Sequence, residues 1–274
     1  MTLSTIRNNP AKQKKVKTKK QKAIAATCAV AFWLLVWHVI LCVGSELVLV
    51  SPVKVVQTLF TVIFDPDFLK TVWYSAARIL GGFFTALTLG TVLGWVASRF
   101  WVVETLLRPI TAVIKATPVA SFIILVLLWF SGKNLSVIIS MLMVFPVIYM
   151  NVLEGIRSAD EKLLEMAQVF RLSVGKKLLY IYLPAVAPFF VSACSVSLGL
   201  CWKSGIAAEV IGTPDGSIGA VFYQAKIFLQ TSELLAWTVV VVAVSVAFEK
   251  LFMFLLRLVL KKLKMEDVLN GKRA

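Results

Sequence analysis

The residues able to do covalent, redox or metal chemistry are few and poorly grouped. Four cysteines, Cys28, Cys42, Cys194 and Cys201, all fall inside apolar runs. Cys194 and Cys201 are seven apart and so share a helix face, but no C-x-x-C spacing is present, and all four read as small buried residues. The single histidine, His38, cannot assemble a zinc site, which takes three or four ligands. No H-E-x-x-H or G-x-S-x-G run occurs, and no paired acids share a helix. A phosphate-binding loop needs G-x-x-x-x-G-K-[ST], and the only Lys-Ser, Lys203-Ser204, has Trp202 where the last glycine must stand. A proton-coupled carrier places carboxylates within its spans, and Glu249 is the candidate for that role. Lys250 beside it favours a different reading, an interfacial pair with a snorkelling lysine.

The elements that must hold these residues are set by composition. Of 274 residues, 59% are hydrophobic, and the mean hydropathy is +0.87. That excludes an ordinary soluble domain and indicates a polytopic membrane protein. The net charge is +15, from 29 Lys and Arg against 14 Asp and Glu. Nucleic acid is one explanation of such an excess, and cytoplasmic flanks obeying the positive-inside rule are another. The positions of the charges decide between them.

Residues 1–22 form a basic arm with eight Lys and Arg, no interleaved aromatics and no convincing cleavage site before Trp33. The expectation is a cytoplasmic arm that fixes orientation and touches anionic lipid, with no nucleic-acid role. A transmembrane domain follows at 23–260, and a basic cytoplasmic tail at 261–274. Within the domain, Ala23–Gly44 is the first span, and Glu46–Ser75 is read as an outer amphipathic stretch opened by Ser51-Pro52 and closed by Asp65-Pro66-Asp67. The second span is Ala76–Ser98, with Gly90 and Gly94 as a close-packing pair and Arg78 at its outer end. Glu104 and Arg108 fall in a short inner loop, Arg108–Lys115 is interfacial, and Thr117–Phe130 is a short or kinked third span. Pro118 there is a pathway candidate, because broken helices in membranes line cavities or are buried in protein. Ser131–Asn134 is an outer turn, Leu135–Asn151 the fourth span, and Leu178–Trp202 the fifth, kinked at Pro184 and Pro188. The glycines of 203–232 argue against one regular helix, so this segment is read as outer and partly re-entrant. Leu234–Leu258 is the sixth span. With about six spans, both termini fall inside, and the heavy Lys/Arg clusters land on that side.

One polar interruption stands out, Asp160–Pro184, lying inside between spans four and five. Leu163, Leu164, Ala167, Phe170 and Leu172 recur in it at helical spacing, the pattern of an amphipathic helix outside the bilayer with an apolar stripe for a partner protein. It resembles the EAA loop of ATP-binding cassette importer permeases, whose pattern is E-A-A, a glycine four residues after the second alanine, then I-x-L-P. Glu165, Met166 and Ala167 match with one substitution, and Ile181, Leu183 and Pro184 keep the spacing. Arg171 occupies the glycine position. That argues against a tight left-handed turn there; Gly175, four residues on, is the candidate for the turn, and a bend without positive φ is the other possibility.

The resemblance runs from about residue 46 to 260, and is greatest to the sulfonate, taurine and nitrate branch. It rests on Ser51-Pro52, Arg78 with Gly82, Arg108-Pro109, Pro118, Leu128-Trp129-Phe130, Trp202 and Ala208-Glu209, in order. It implies an all-α type I importer fold, two permease chains pairing around a central pathway, and a separate ATPase subunit that binds ATP and Mg, with no cofactor in this chain. It also implies an extracytoplasmic solute-binding protein and a place in a bacterial inner or plasma membrane. In that picture Glu165 caps or orients the coupling segment 160–177, Ala167 and Phe170 seat in the ATPase, and Pro184 fixes the exit into span five. Trp202, Lys203 and Glu209 are further pathway candidates, with an outer-surface charge as the plainer reading of the last two. The competing function is a secondary carrier or membrane-embedded enzyme working without an ATPase.

Overall fold

A computed structural model describes residues 27–29, 32–33, 35–36 and 50–263. The basic arm, most of the first span with His38 and Cys42, and most of the tail lie outside the described residues. The chain divides into two units, residues 1–54 and 55–274. In the first, residues 27–29, 32–33 and 35–36 are helical and Cys28 is exposed, against the expectation of a buried thiol.

The described helices are α1 (Pro52–Ile63), α2 (Phe68–Arg99), α3 (Trp101–Ala116), α4 (Val119–Trp129), α5 (Gly132–Arg157), α6 (Glu161–Val169) and α7 (Val174–Lys177). A π turn, Leu178–Tyr182, leads into α8 (Leu183–Gly212), followed by α9 (Ile218–Ile227) and α10 (Thr231–Lys262). Among the described residues four helical stretches are long and apolar enough to cross a membrane, and five if the bent pair α3–α4 counts as one span.

The centre of the second unit is α5, with α2 on one side and α8 on the other. Their apolar faces meet in one core of Ile79, Phe83, Ala86, Val144, Ile148, Leu198 and Trp202, with Cys194 and Cys201 buried in the same cluster. Close approach of α2 to α5 depends on glycine: a Cβ at Gly90 would stand 3.0 Å from the Ile148 side chain, and one at Gly94 3.0 Å from Val152. This is the small-residue contact by which helices associate in lipid, where no hydrophobic drive separates helix from solvent.

Several boundaries differ from the sequence reading, for a common reason. The outer surface stretch ends at Ile63, and residues 68–75 belong to α2. Thr71 and Ser75, read as part of that outer amphipathic stretch, are both buried against protein. Likewise α8 continues past Trp202 to Gly212. Gly205 does not break it; a Cβ there would stand 2.7 Å from Ser140 Oγ, so this glycine makes room for a neighbour. Glu104 and Arg108 lie on the helix α3, not in a loop, and the turn expected at Ser131–Asn134 shrinks because α5 starts at Gly132.

Proline shapes the rest. Thr117, which precedes Pro118, is extended at φ −82° and ψ 134°, and α3 and α4 meet at 110°. At about 1.5 Å per residue the 11 residues of α4 fall well short of the ~30 Å hydrocarbon core. Pro184 has no N–H to offer the carbonyl four residues back, and the π turn lies immediately before it.

Candidate functional site

The segment joining α5 to α8 is built from local rules. Asp160 is the N-cap of α6: its Oδ1 accepts from the Lys162 N–H at 2.9 Å. Asp160 therefore caps α6, and Glu165, expected to cap or orient the segment, is not the cap and stands exposed in mid-helix. At the other end, the Arg171 N–H donates to Gln168 O at 3.0 Å and the Leu172 N–H to Ala167 O at 2.9 Å. These are the paired bonds of a Schellman turn, with Arg171 at its left-handed position, φ 49°. The tight turn thus forms without glycine. Gly175 does not supply it; it lies inside α7, with no positive φ.

Packing divides this segment into an inner and an outer face. Ala167 is 0% exposed and sits with Ala159 and Ile181, flanked by Leu164, Leu172 and Tyr182. It is the anchor of the segment to its own chain, a correction to the expectation that its side chain seats in a partner. The opposite face is apolar and open: Val169 is 79% exposed, Phe170 71% and Val174 78%, with Met166 half exposed. Pro184 lies in the first turn of α8. The segment is therefore held at both ends, by the Asp160 cap after α5 and by Pro184 entering α8.

A second constellation lies at the other end of α8. Glu209 is fully buried, and Ser75 of α2 donates its hydroxyl to Glu209 Oε2 at 2.6 Å. The same Ser75 Oγ accepts from the Ile218 N–H at 2.9 Å, and the Gly219 N–H donates to Glu209 Oε2 at 3.4 Å. The carboxylate thus receives the amino end of α9, where unpaired N–H groups and the helix dipole favour an anion. Ser136 Oγ is buried beside the same carboxylate, whose Oε1 is buried with it. Glu209 is neither an open pathway residue nor an outer-surface charge.

The remaining expected residues are not brought together. Trp202 is 2% exposed inside the main core, Lys203 is exposed on α8, and Pro118 is exposed at the start of α4. Glu249 accepts from Ser195 Oγ at 2.9 Å and makes no ion pair with Lys250. Arg157 forms an ion pair with Glu104, joining the end of α5 to α3. No cluster of three or more His, Cys, Asp or Glu able to hold a metal occurs among the described residues. Sequence reasoning missed three features: the Asp160 cap, the Ser75–Glu209 link and the paired charges of α3 and α5. Only the first had a local signal, an Asp directly before the helical repeat.

Residues 86–265 match the family described as binding-protein-dependent transport system inner membrane component. The chain is 30% identical over 214 residues to the putative aliphatic sulfonates transport permease protein SsuC of Bacillus subtilis (strain 168), covering 77% of each chain. It is 26% identical over 211 residues to the taurine transport system permease protein TauC of Escherichia coli (strain K12), covering 75% of this chain and 76% of that one. It is also 26% identical over 213 residues to the nitrate import permease protein NrtB of Synechocystis sp. (strain ATCC 27184 / PCC 6803 / Kazusa), covering 74% and 76%.

Proposed function

From the premise that this chain belongs to the binding-protein-dependent transport system inner membrane component family, and is the membrane pathway subunit of an ATP-binding cassette importer, we infer how it is driven and what it moves. The chain docks a separate ATPase through the exposed face of Met166, Val169, Phe170 and Val174. That open apolar face, on a segment anchored by buried Ala167, is the observation that carries the reading. An apolar patch outside the bilayer, held at both ends, fits a protein partner better than water.

ATP and Mg bind in the partner, and this chain supplies no cofactor of its own. The segment 160–177 and both termini face the cytoplasm of a bacterial cell, on the side where Lys and Arg concentrate. Two copies pair to enclose the pathway within the lipid bilayer, and an extracytoplasmic binding protein delivers the solute. The arm 1–22 and tail 261–274 serve orientation at the lipid surface, not nucleic acid. The solute is a small anion or amino acid-like sulfonate, as in the named sulfonate, taurine and nitrate relatives.

Closure of an ATPase dimer moves the docked segment, and the Asp160 cap and the π turn with Pro184 transmit that motion to α5 and α8. Because α5 and α8 share the central core, a displacement at the segment must repack or rotate them together.

The test is purification of the native chain and of Phe170→Asp from cells that make the whole transport system. The ATPase is expected to co-purify with the native chain and not with the variant, which remains folded because Phe170 is a surface residue. A native chain that purifies alone and moves solute into liposomes without ATP would return the function to a secondary carrier, with Glu249 as its acid.

A further inference from the structure

We propose that the cavity between α3 and α5 binds a small zwitterion, a molecule carrying an oxyacid anion and an ammonium group. The cavity measures about 390 Å³, within the range of ~300–1,000 Å³ usual for small-molecule sites. Glu104, Arg108 and Thr111 of α3 and Tyr149, Glu154 and Arg157 of α5 line it. Its four charges are not equivalent. Arg157 and Glu104 neutralise each other. Arg108 and Glu154 make no ion pair with a described residue. The cavity therefore offers one uncommitted cation on one wall and one uncommitted carboxylate on the other.

Tyr149 is the independent observation. It is 3% exposed, and its hydroxyl is buried with no hydrogen-bond partner. Buried polar groups are nearly always paired, and leaving one unpaired costs its full desolvation. The ring has little freedom to turn away, being stacked on Phe145 at 5.8 Å between centroids and packed with Ala97 and Leu153. A bound oxyanion would accept from Tyr149 Oη and from the Arg108 guanidinium, while the ammonium group would meet the Glu154 carboxylate. Arg157 ends α5, and Asp160 caps α6 three residues later, so the cavity lies at the end of α5 that leads into the docking segment.

The inference rests on the importer reading for the side of the membrane it faces. The same chemistry has two sources, a soluble amino-sulfonate and the headgroup of phosphatidylethanolamine. The experiment uses the full chain with its ATPase in nanodiscs of phosphatidylglycerol, which lacks an ammonium group. Binding of labelled taurine is read by scintillation proximity, with ethanesulfonate, which has no ammonium, as competitor. Taurine is expected to bind about tenfold more tightly than ethanesulfonate. Glu154→Gln should abolish that preference and leave ethanesulfonate binding as it was. Arg108→Gln and Tyr149→Phe should each weaken both ligands, Arg108→Gln by about tenfold. Lys133→Gln, at a residue that does not line the cavity, should change nothing. If phosphatidylethanolamine added to the disc displaces taurine, the headgroup is the occupant; if not, the soluble solute is. Taurine that fails to bind the native complex, or binds equally to Arg108→Gln and Glu154→Gln, overturns the proposal. Failure of the ATPase to co-purify would instead sink the importer reading, and the same binding measurement then applies to the chain alone.

Discussion

Ser75 and Glu209, 134 positions apart in the sequence, are joined by a hydrogen bond of 2.6 Å in the buried interior. The serine hydroxyl both donates to the carboxylate and accepts from the first N–H of α9, so three helices close on one acid. The two side chains should therefore be energetically coupled. Ser75→Ala is expected to cost about 1–3 kcal/mol, the range for stranding a buried group, and Glu209→Ala more. In the double variant the losses should fall short of additivity by more than about 0.5 kcal/mol. Thermal unfolding of the detergent-solubilised chain measures all three, and simple additivity would show that the bond carries nothing.

Arg171 holds a left-handed backbone that glycine adopts without steric strain. Arg171→Gly is expected to raise stability by up to about 1 kcal/mol, while Arg171→Ala should not. A loss of stability in the glycine variant would mean that the arginine side chain itself is required.

The two faces of the docking segment should respond oppositely to the same charge. Phe170→Asp should leave the unfolding midpoint near native and abolish ATPase co-purification. Ala167→Asp places an acid among Ala159, Ile181 and Leu164, and should destabilise by several kcal/mol. If Ala167→Asp unfolds at the native temperature yet releases the ATPase, the assignment of inner and outer faces is wrong.

Glycines on α2 differ by what lies opposite them. Gly90→Leu drives a side chain into Ile148 and Tyr149, with an expected loss of about 1–3 kcal/mol or failure to fold. A methyl group at Gly81 would meet no atom within 4 Å, so Gly81→Ala should be tolerated and gain up to ~1 kcal/mol of helix propensity. Equal effects at the two positions, read by yield and unfolding temperature, would remove the close-packing role given to Gly90.

What the sequence determined by itself is what local composition can encode. Runs of apolar residues long enough for a bilayer identify the spans, and basic clusters give their proposed orientation. The Asp160–Pro184 interruption, with Glu165, Ala167 and the I-x-L-P spacing, revealed the family. What only the tertiary structure decided is which face of each helix meets which neighbour. Ser75 read as part of an outer surface stretch, and residues 203–212 as part of an outer, partly re-entrant segment, because polar residues and glycines ordinarily mark helix ends. Their partners, Glu209, Ser140 and Ile79, come from distant spans, and no local pattern records such a pairing. Ala167 read as a contact for another protein because an amphipathic stripe has an apolar side but no label for its occupant; packing with Ile181 assigns it inward and leaves Phe170 outward. Arg171 read as an obstacle to a turn, since backbone preference favours glycine there. Anchoring of Leu172 and Ala167 in the same small core favours the turn nonetheless, outweighing a local cost of about 1 kcal/mol.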